Sequence, residues 1–131
     1  MRIVLDTNVI VAAFAARGLC AEVFEVCASG HKIVISEHIL AEVDSAFLKK
    51  VRLPEGIVHA VTDYLRDIAE TVKPDRVDIS ACRDKHDLPI IGTATKGNVD
   101  LIVTGDADLL ALKSYQGIDI ITPRELWNRL K

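Results

Sequence analysis

The sequence predicts a three-layer α/β/α sandwich around a mainly parallel central sheet. Short apolar runs recur along it in RIVLD, KIVIS, DLIVT and IDIIT, without polar alternation. Such runs suit strands buried on both faces, as in a parallel sheet covered by helices. The stretches between them carry helical periodicity with capping and stop signals. The third observation is size: 131 residues, half of them apolar, fit one domain spanning residues 1–131 with a core that needs no staples.

The elements follow in order. RIVLD (2–6) is a strand, and NVIVAAFAA after it is helical, ending near Gly18. A second helix covers about 20–29 and stops at Gly30, a good C-terminal residue. KIVIS (32–36) is the next strand, with Ser36 placed to cap a helix across 37–50. Pro54 opens a helix through about Ile68, and a weak strand near 70–73 precedes Pro74. The stretch 88–96 is helical, Pro89 being tolerated in its first turn. DLIVT (100–104) is the clearest buried strand; a helix at 107–113, the strand IDIIT (118–122) and a last helix from Pro123 complete the chain.

Composition sets limits on function. No apolar stretch approaches the ~18 residues needed to span a bilayer, and Met1-Arg2 leads straight into IVLD without a signal-peptide pattern. The expectation is a soluble, cytoplasmic protein with no membrane partner. Cys20, Cys27 and Cys82 form no CxxC pair, which suits a reducing compartment and argues against zinc. The net charge of −3 does not advertise nucleic-acid binding. Neutralising four carboxylates in one site would nevertheless turn the balance slightly positive, so nucleic acid stays open.

The acids are the informative residues. Asp6 ends the first strand and Asp106 follows the strand LIVT by two residues, so a parallel sheet projects both toward one edge. Asp87 precedes the helix LPIIGTATK. At 100° per residue, Ile39, Val43 and Phe47 form the buried stripe of the helix from 37, and Glu42 lies about 60° to its side, able to reach over the strand ends. Each acid alone has a plainer reading. Asp87 and Asp106 are good helix caps, Asp6 is a turn residue, Glu42 a solvated helix residue, and Asp108 a partner for the helix dipole. Their convergence on one edge favours a pocket that a hard, oxygen-liganded cation would neutralise, Mg²⁺ or Mn²⁺.

The motifs LDTNVIVAA, ISEHILAEV, CRDKHDLPIIGTA and LIVTGDADLL, in that order and spacing, resemble the PIN-domain ribonucleases. Many members of that family are VapC-like toxins of bacterial and archaeal toxin–antitoxin pairs. The resemblance runs almost to the chain's end and implies a three-layer sandwich with metal-dependent ribonuclease activity. It places the family's acidic quartet on Asp6, Glu42, Asp87 and Asp106, with Asp108 matching a further acid. Thr7 and Asn8 match the DTN turn that orients the first aspartate, and Thr104 a small polar position beside the fourth acid. Relatives often carry two adjacent aspartates where this chain has CRDKHD, one residue shorter; Asp87 aligns with the helix-proximal acid, and Asp84 is a substitute or outer-shell partner.

The resulting expectation is an endoribonuclease using one or two Mg²⁺ or Mn²⁺ ions, with Asp6, Glu42, Asp87 and Asp106 catalytic and Asp108 a further metal ligand. Arg83, Lys85 and Lys96 flank the third acid as candidate RNA contacts, and His86 beside Asp87 either touches substrate or caps the loop. The implied partners are RNA, a small antitoxin whose tail covers the pocket, and a second copy in a homodimer. The helices at 8–17 and 54–68 are apolar enough for an interface or serve simply to cover the sheet. Three alternatives stand beside this reading. A non-catalytic PIN scaffold binding RNA or protein keeps the fold without the chemistry. A receiver-type phosphoacceptor needs an acidic pair after its first strand, where LDTN offers one acid; a haloacid-dehalogenase-like phosphatase needs a DxD pattern missing there.

Overall fold

The computed structural model describes residues 1–130. β1 (Arg2–Leu5), β2 (Lys32–Ile35), β3 (Glu70–Thr71), β4 (Leu101–Val103), β5 (Ser114–Tyr115) and β6 (Ile118–Ile121) form one sheet in the order β3-β2-β1-β4-β6-β5. All neighbours are parallel except β5, which pairs antiparallel with β6. The helices are α1 (Thr7–Ala15), α2 (Leu19–Gly30), α3 (Glu37–Ala46), α4 (Glu55–Ile68), α5 (Leu88–Lys96), α6 (Ala107–Leu112) and α7 (Pro123–Leu130). The mainly parallel sheet between helical layers is the three-layer sandwich expected.

The apolar strand runs make the core. Ile3, Val4 and Leu5 lie beside Ile33, Val34 and Ile35 on one side and Leu101, Ile102 and Val103 on the other, all at most 3% exposed. Adjacent residues on each strand are buried together, so both sheet faces are covered. β1 and β4 are neighbours at the point where strand order reverses: β2 and β3 extend the sheet one way, β6 and β5 the other. Chain leaving β1 and chain leaving β4 therefore diverge around a crevice at their carboxyl ends, where ligands bind in open α/β sheets.

Three local features differ from expectation. The helix expected over 37–50 is α-helical only to Ala46, and Phe47–Val51 continue as a π-helical turn ended by Arg52 in the left-handed region (φ 58°). Fully buried Phe47 anchors that turn, its ring 6.3 Å from Phe14 in edge-to-face contact. The weak strand near 70–73 shortens to Glu70–Thr71. Finally, β5 was not expected: Gln116 (φ 48°) and Gly117 (φ 82°) turn the chain back on itself in a two-residue hairpin. Among the described residues no helix is long and apolar enough to cross a membrane.

Candidate functional site

Asp6 is the residue after β1, and its backbone N–H still pairs with the Val103 carbonyl of β4 (2.9 Å). That bond fixes the side chain over the crevice, where it is only 6% exposed. The Thr7 amide (2.8 Å) and the Thr104 hydroxyl (2.7 Å) donate to its two carboxylate oxygens. Thr104, itself buried, also accepts from the Asp106 amide (2.9 Å). One hydroxyl thus ties the first acid to the backbone of the fourth. Asp106 in turn accepts from the Leu109 amide (2.9 Å), capping α6.

Glu42 reaches the same crevice from α3. The Thr7 hydroxyl donates to it at 3.0 Å, and His38, one turn earlier, lies 3.4 Å away. α3 is aimed there by its N-terminus: Ser36 accepts from the Ile39 amide and from the buried hydroxyl of Thr93 on α5. Asp87 stands at the N-terminus of α5 but makes no capping bond with its side chain. Asp84 does the local capping instead, accepting from the His86 amide (2.9 Å) across a short 3₁₀ turn, Lys85–Asp87. The Asp87 carboxylate is left to face the other acids.

These side chains enclose a cavity of about 370 Å³ lined by Asp6, Glu42, Asp84, Asp87 and Asp106, together with Thr7, Asn8 and His86. The crowding has an electrostatic cost. Burial pushes the Asp6 carboxyl above the usual carboxylate range against the hydrogen bonds from Thr104 and Thr7, and Asp106 and Glu42 raise it further. Asp87 is pushed up to about 7, first by burial and then by Asp106, Asp84 and Asp6. Carboxylates held this close are stable as anions when a cation sits among them. The donors are carboxylate oxygens, which suit a hard divalent ion. A second grouping shares Asp87: one oxygen each of Asp84, Asp87 and Asp108 lie within 4.8 Å of one another, a spacing that can hold a metal ion. Asp108 does not itself line the main cavity.

The structure thus brings the four expected acids together, places Thr7 and Thr104 in hydrogen bonds to them, and puts Asp84 and Asp108 at one margin. None of the three expected cations lines the cavity. Lys96 is in the last turn of α5, about 14 Å of helix from Asp87, beside Gly97, whose carbonyl accepts from Arg2 at the start of β1. Arg83 and Lys85 flank Asp87 in sequence but are exposed and do not line the cavity. The cations that line it are Lys49 and Lys50, which sequence reasoning passed over, along with Ser45. The signal was present: at 100° per residue, Lys49 falls within about 20° of Glu42, seven residues earlier.

A family model described as PIN domain matches residues 2–108, from β1 into α6. The chain belongs to the PIN domain family. No curated protein sequence matches it. Among solved structures, this PIN domain resembles a chain of VapBC2 from Rickettsia felis bound to a DNA fragment from their promoter. The two are 18% identical, with a TM-score of 0.65, and the match covers 93% of this chain and 98% of that one. At that identity the likeness is one of fold. The acids from β1, α3, α5 and the β4–α6 connection all fall within the matched PIN region.

Proposed function

We propose that the protein is a divalent-metal-dependent endoribonuclease, the toxin component of a toxin–antitoxin pair. The observation that carries this reading is Asp6: a carboxylate almost wholly removed from water, facing Glu42, Asp87 and Asp106 across one cavity. A fold does not dictate an activity, but a buried carboxylate crowded by others is costly and is stabilised by a cation.

Asp6, Glu42, Asp87 and Asp106 would hold Mg²⁺ or Mn²⁺, as one or two ions, with Asp108 and Asp84 at the margin. Such a cation, when bound, stabilises charge on a scissile phosphate and lowers the pKa of an attacking water. The chain's own residues supply position. Thr104 holds the Asp6 side chain and the Asp106 backbone at a fixed separation, and Thr7 orients Glu42. Asn8, exposed at the cavity, presents an amide to the entering strand. The partners in this reading are RNA, a small antitoxin protein and a second copy in a homodimer, and the place of action is the cytoplasm.

The test is cleavage of an RNA panel with Mg²⁺, Mn²⁺ or chelator, using wild type, Asp6→Asn and Asp106→Asn. The expected result is cleavage in metal, none in chelator, and a loss of at least ~100-fold in each variant. Cleavage in chelator, or undiminished cleavage by both variants, would overturn the assignment. The toxin role predicts a small DNA-binding protein encoded in the adjacent reading frame that abolishes cleavage when added. An adjacent protein without that effect leaves a ribonuclease outside such a pair.

A further inference from the structure

Lys49 and Lys50 are the two lysines or arginines that line the carboxylate cavity among the described residues. Both are exposed, and neither forms an ion pair with any of the acids around it. A lysine beside five carboxylates that remains unpaired has its ammonium available for another anion. Its backbone, by contrast, is firmly held. Phe47 immediately before the pair is fully buried, and its carbonyl accepts from the amides of both Arg52 and Leu53. The π-helical turn therefore forms a fixed wall from which two flexible cations extend. π turns within helices often occur at functional sites. Glu42, Ser45, Ala46, Lys49 and Lys50 all line the cavity, so one helical face changes from acid to base along its length.

We infer that Lys49 and Lys50 form the phosphate-binding wall of the site, holding the RNA backbone on the side of the cavity that the π turn after α3 supplies. This rests on the ribonuclease reading and adds to it the residues that take up the strand. The acids alone would repel a polyanion, and a bound cation offsets that repulsion only where it sits. Phosphates flanking the cleaved one need separate positive charge, and the π turn supplies it at the cavity's rim. Lysine suits this use, since it meets phosphate as a point charge and tolerates variation in sequence.

The test compares wild type with the Lys49→Gln/Lys50→Gln and Lys49→Arg/Lys50→Arg double variants. Gln and Arg match lysine in helix propensity and the side chains are exposed, so the fold is retained. Binding of a fluorescent single-stranded RNA is followed by anisotropy in Ca²⁺ over a range of KCl, and cleavage is scored separately in Mn²⁺. The expected result for the Gln variant is at least ~10-fold weaker binding at low salt and a salt slope shallower by about 1.4, two phosphate contacts at about 0.7 each. KM should rise while kcat stays within about threefold, and the Arg variant should recover most of the affinity. Unchanged affinity and salt slope in the Gln variant, with wild type still cleaving, would overturn the lysine wall alone. Binding that depends on the lysines without cleavage in any metal would retain the wall and overturn the nuclease reading. Absence of RNA binding by wild type would overturn both.

Discussion

Replacing Asp87 with Asn removes one negative charge from a group of four carboxylates while keeping nearly the same shape. In the folded protein Asp87 is raised from 3.8 to about 7 by burial and by Asp106, Asp84 and Asp6. A carboxyl raised on folding binds its proton more tightly in the native state. Its stabilising effect is present at low pH and is lost as pH rises from about 4 through about 7. Taken in full, that displacement corresponds to ~4 kcal/mol. The side chain is partly solvated, and screening reduces this to about 1–2 kcal/mol. Metal-free Asp87→Asn should therefore be more stable than wild type by that amount at pH 8, with the difference disappearing toward pH 4. Mn²⁺ should reverse the order. A ligand at 100 times its Kd stabilises by about 2.7 kcal/mol, and the variant, lacking a ligand oxygen of full charge, should gain much less. Urea unfolding followed by circular dichroism, in EDTA and in Mn²⁺ at pH 4.5, 6 and 8, gives both quantities. A variant less stable than wild type in EDTA at pH 8 would show that the acids do not strain the fold. Equal stabilisation of both proteins by Mn²⁺ would remove Asp87 from the ligand set.

Two further substitutions probe the framework around the acids. Thr104→Val deletes the hydroxyl that donates to Asp6 and accepts from the Asp106 amide; a loss of about 2 kcal/mol in urea unfolding and weaker Mn²⁺ stabilisation are expected, with Thr104→Ser restoring most of both, whereas a stable, fully metal-responsive Val variant would refute the link. Gly92→Ala places a Cβ 2.3 Å from the Asp75 carbonyl oxygen, so the segment after β3 must shift from α5; the expected loss is about 1–3 kcal/mol, and an unchanged urea midpoint would show that the segment yields freely.

Much of this was legible because strand burial and strand ends are written locally. RIVL, KIVI and LIV read as strands buried on both faces, and once the sheet is parallel, Asp6 and the acid following LIVT must share an edge. The helical angle of Glu42, beside the buried stripe of Ile39 and Val43, allowed it to reach over the strand ends, and the Thr7 hydroxyl donates to it there. The β5–β6 hairpin was not, because its strand is two residues long and its turn uses Gln116 at positive φ, where sequence offers only Gly117 as a sign. The π turn was hidden for a different reason. FLKKV has ordinary helix formers, and nothing in the sequence marks the widened turn that begins at buried Phe47. The cations were sought beside Asp87 in sequence, but α5 carries Lys96 away from the cavity, while α3 and its π turn bring Lys49 and Lys50 to it.

In Asp106 a capping role and a place on the cavity wall go together. Its carboxylate has two oxygens, and the Leu109 amide engages Oδ2. Capping holds the side-chain rotamer while the residue still lines the cavity, so an acid that caps stays available to a cation there. Asp87 divides the work differently. It occupies a cap position without capping, while Asp84 takes the local amide three residues earlier. In the shorter CRDKHD stretch the local turn is thus capped by Asp84, while Asp87 lines the cavity without capping. From this it follows that Asp84→Asn, which retains an acceptor for the His86 amide, should preserve the 3₁₀ turn and most metal binding. Asp84→Ala should free the turn and lower Mn²⁺ affinity about 10-fold through misplacement of Asp87. Equal losses in the two variants, read by Mn²⁺ titration of thermal stability, would instead make the Asp84 charge itself part of the ligand set.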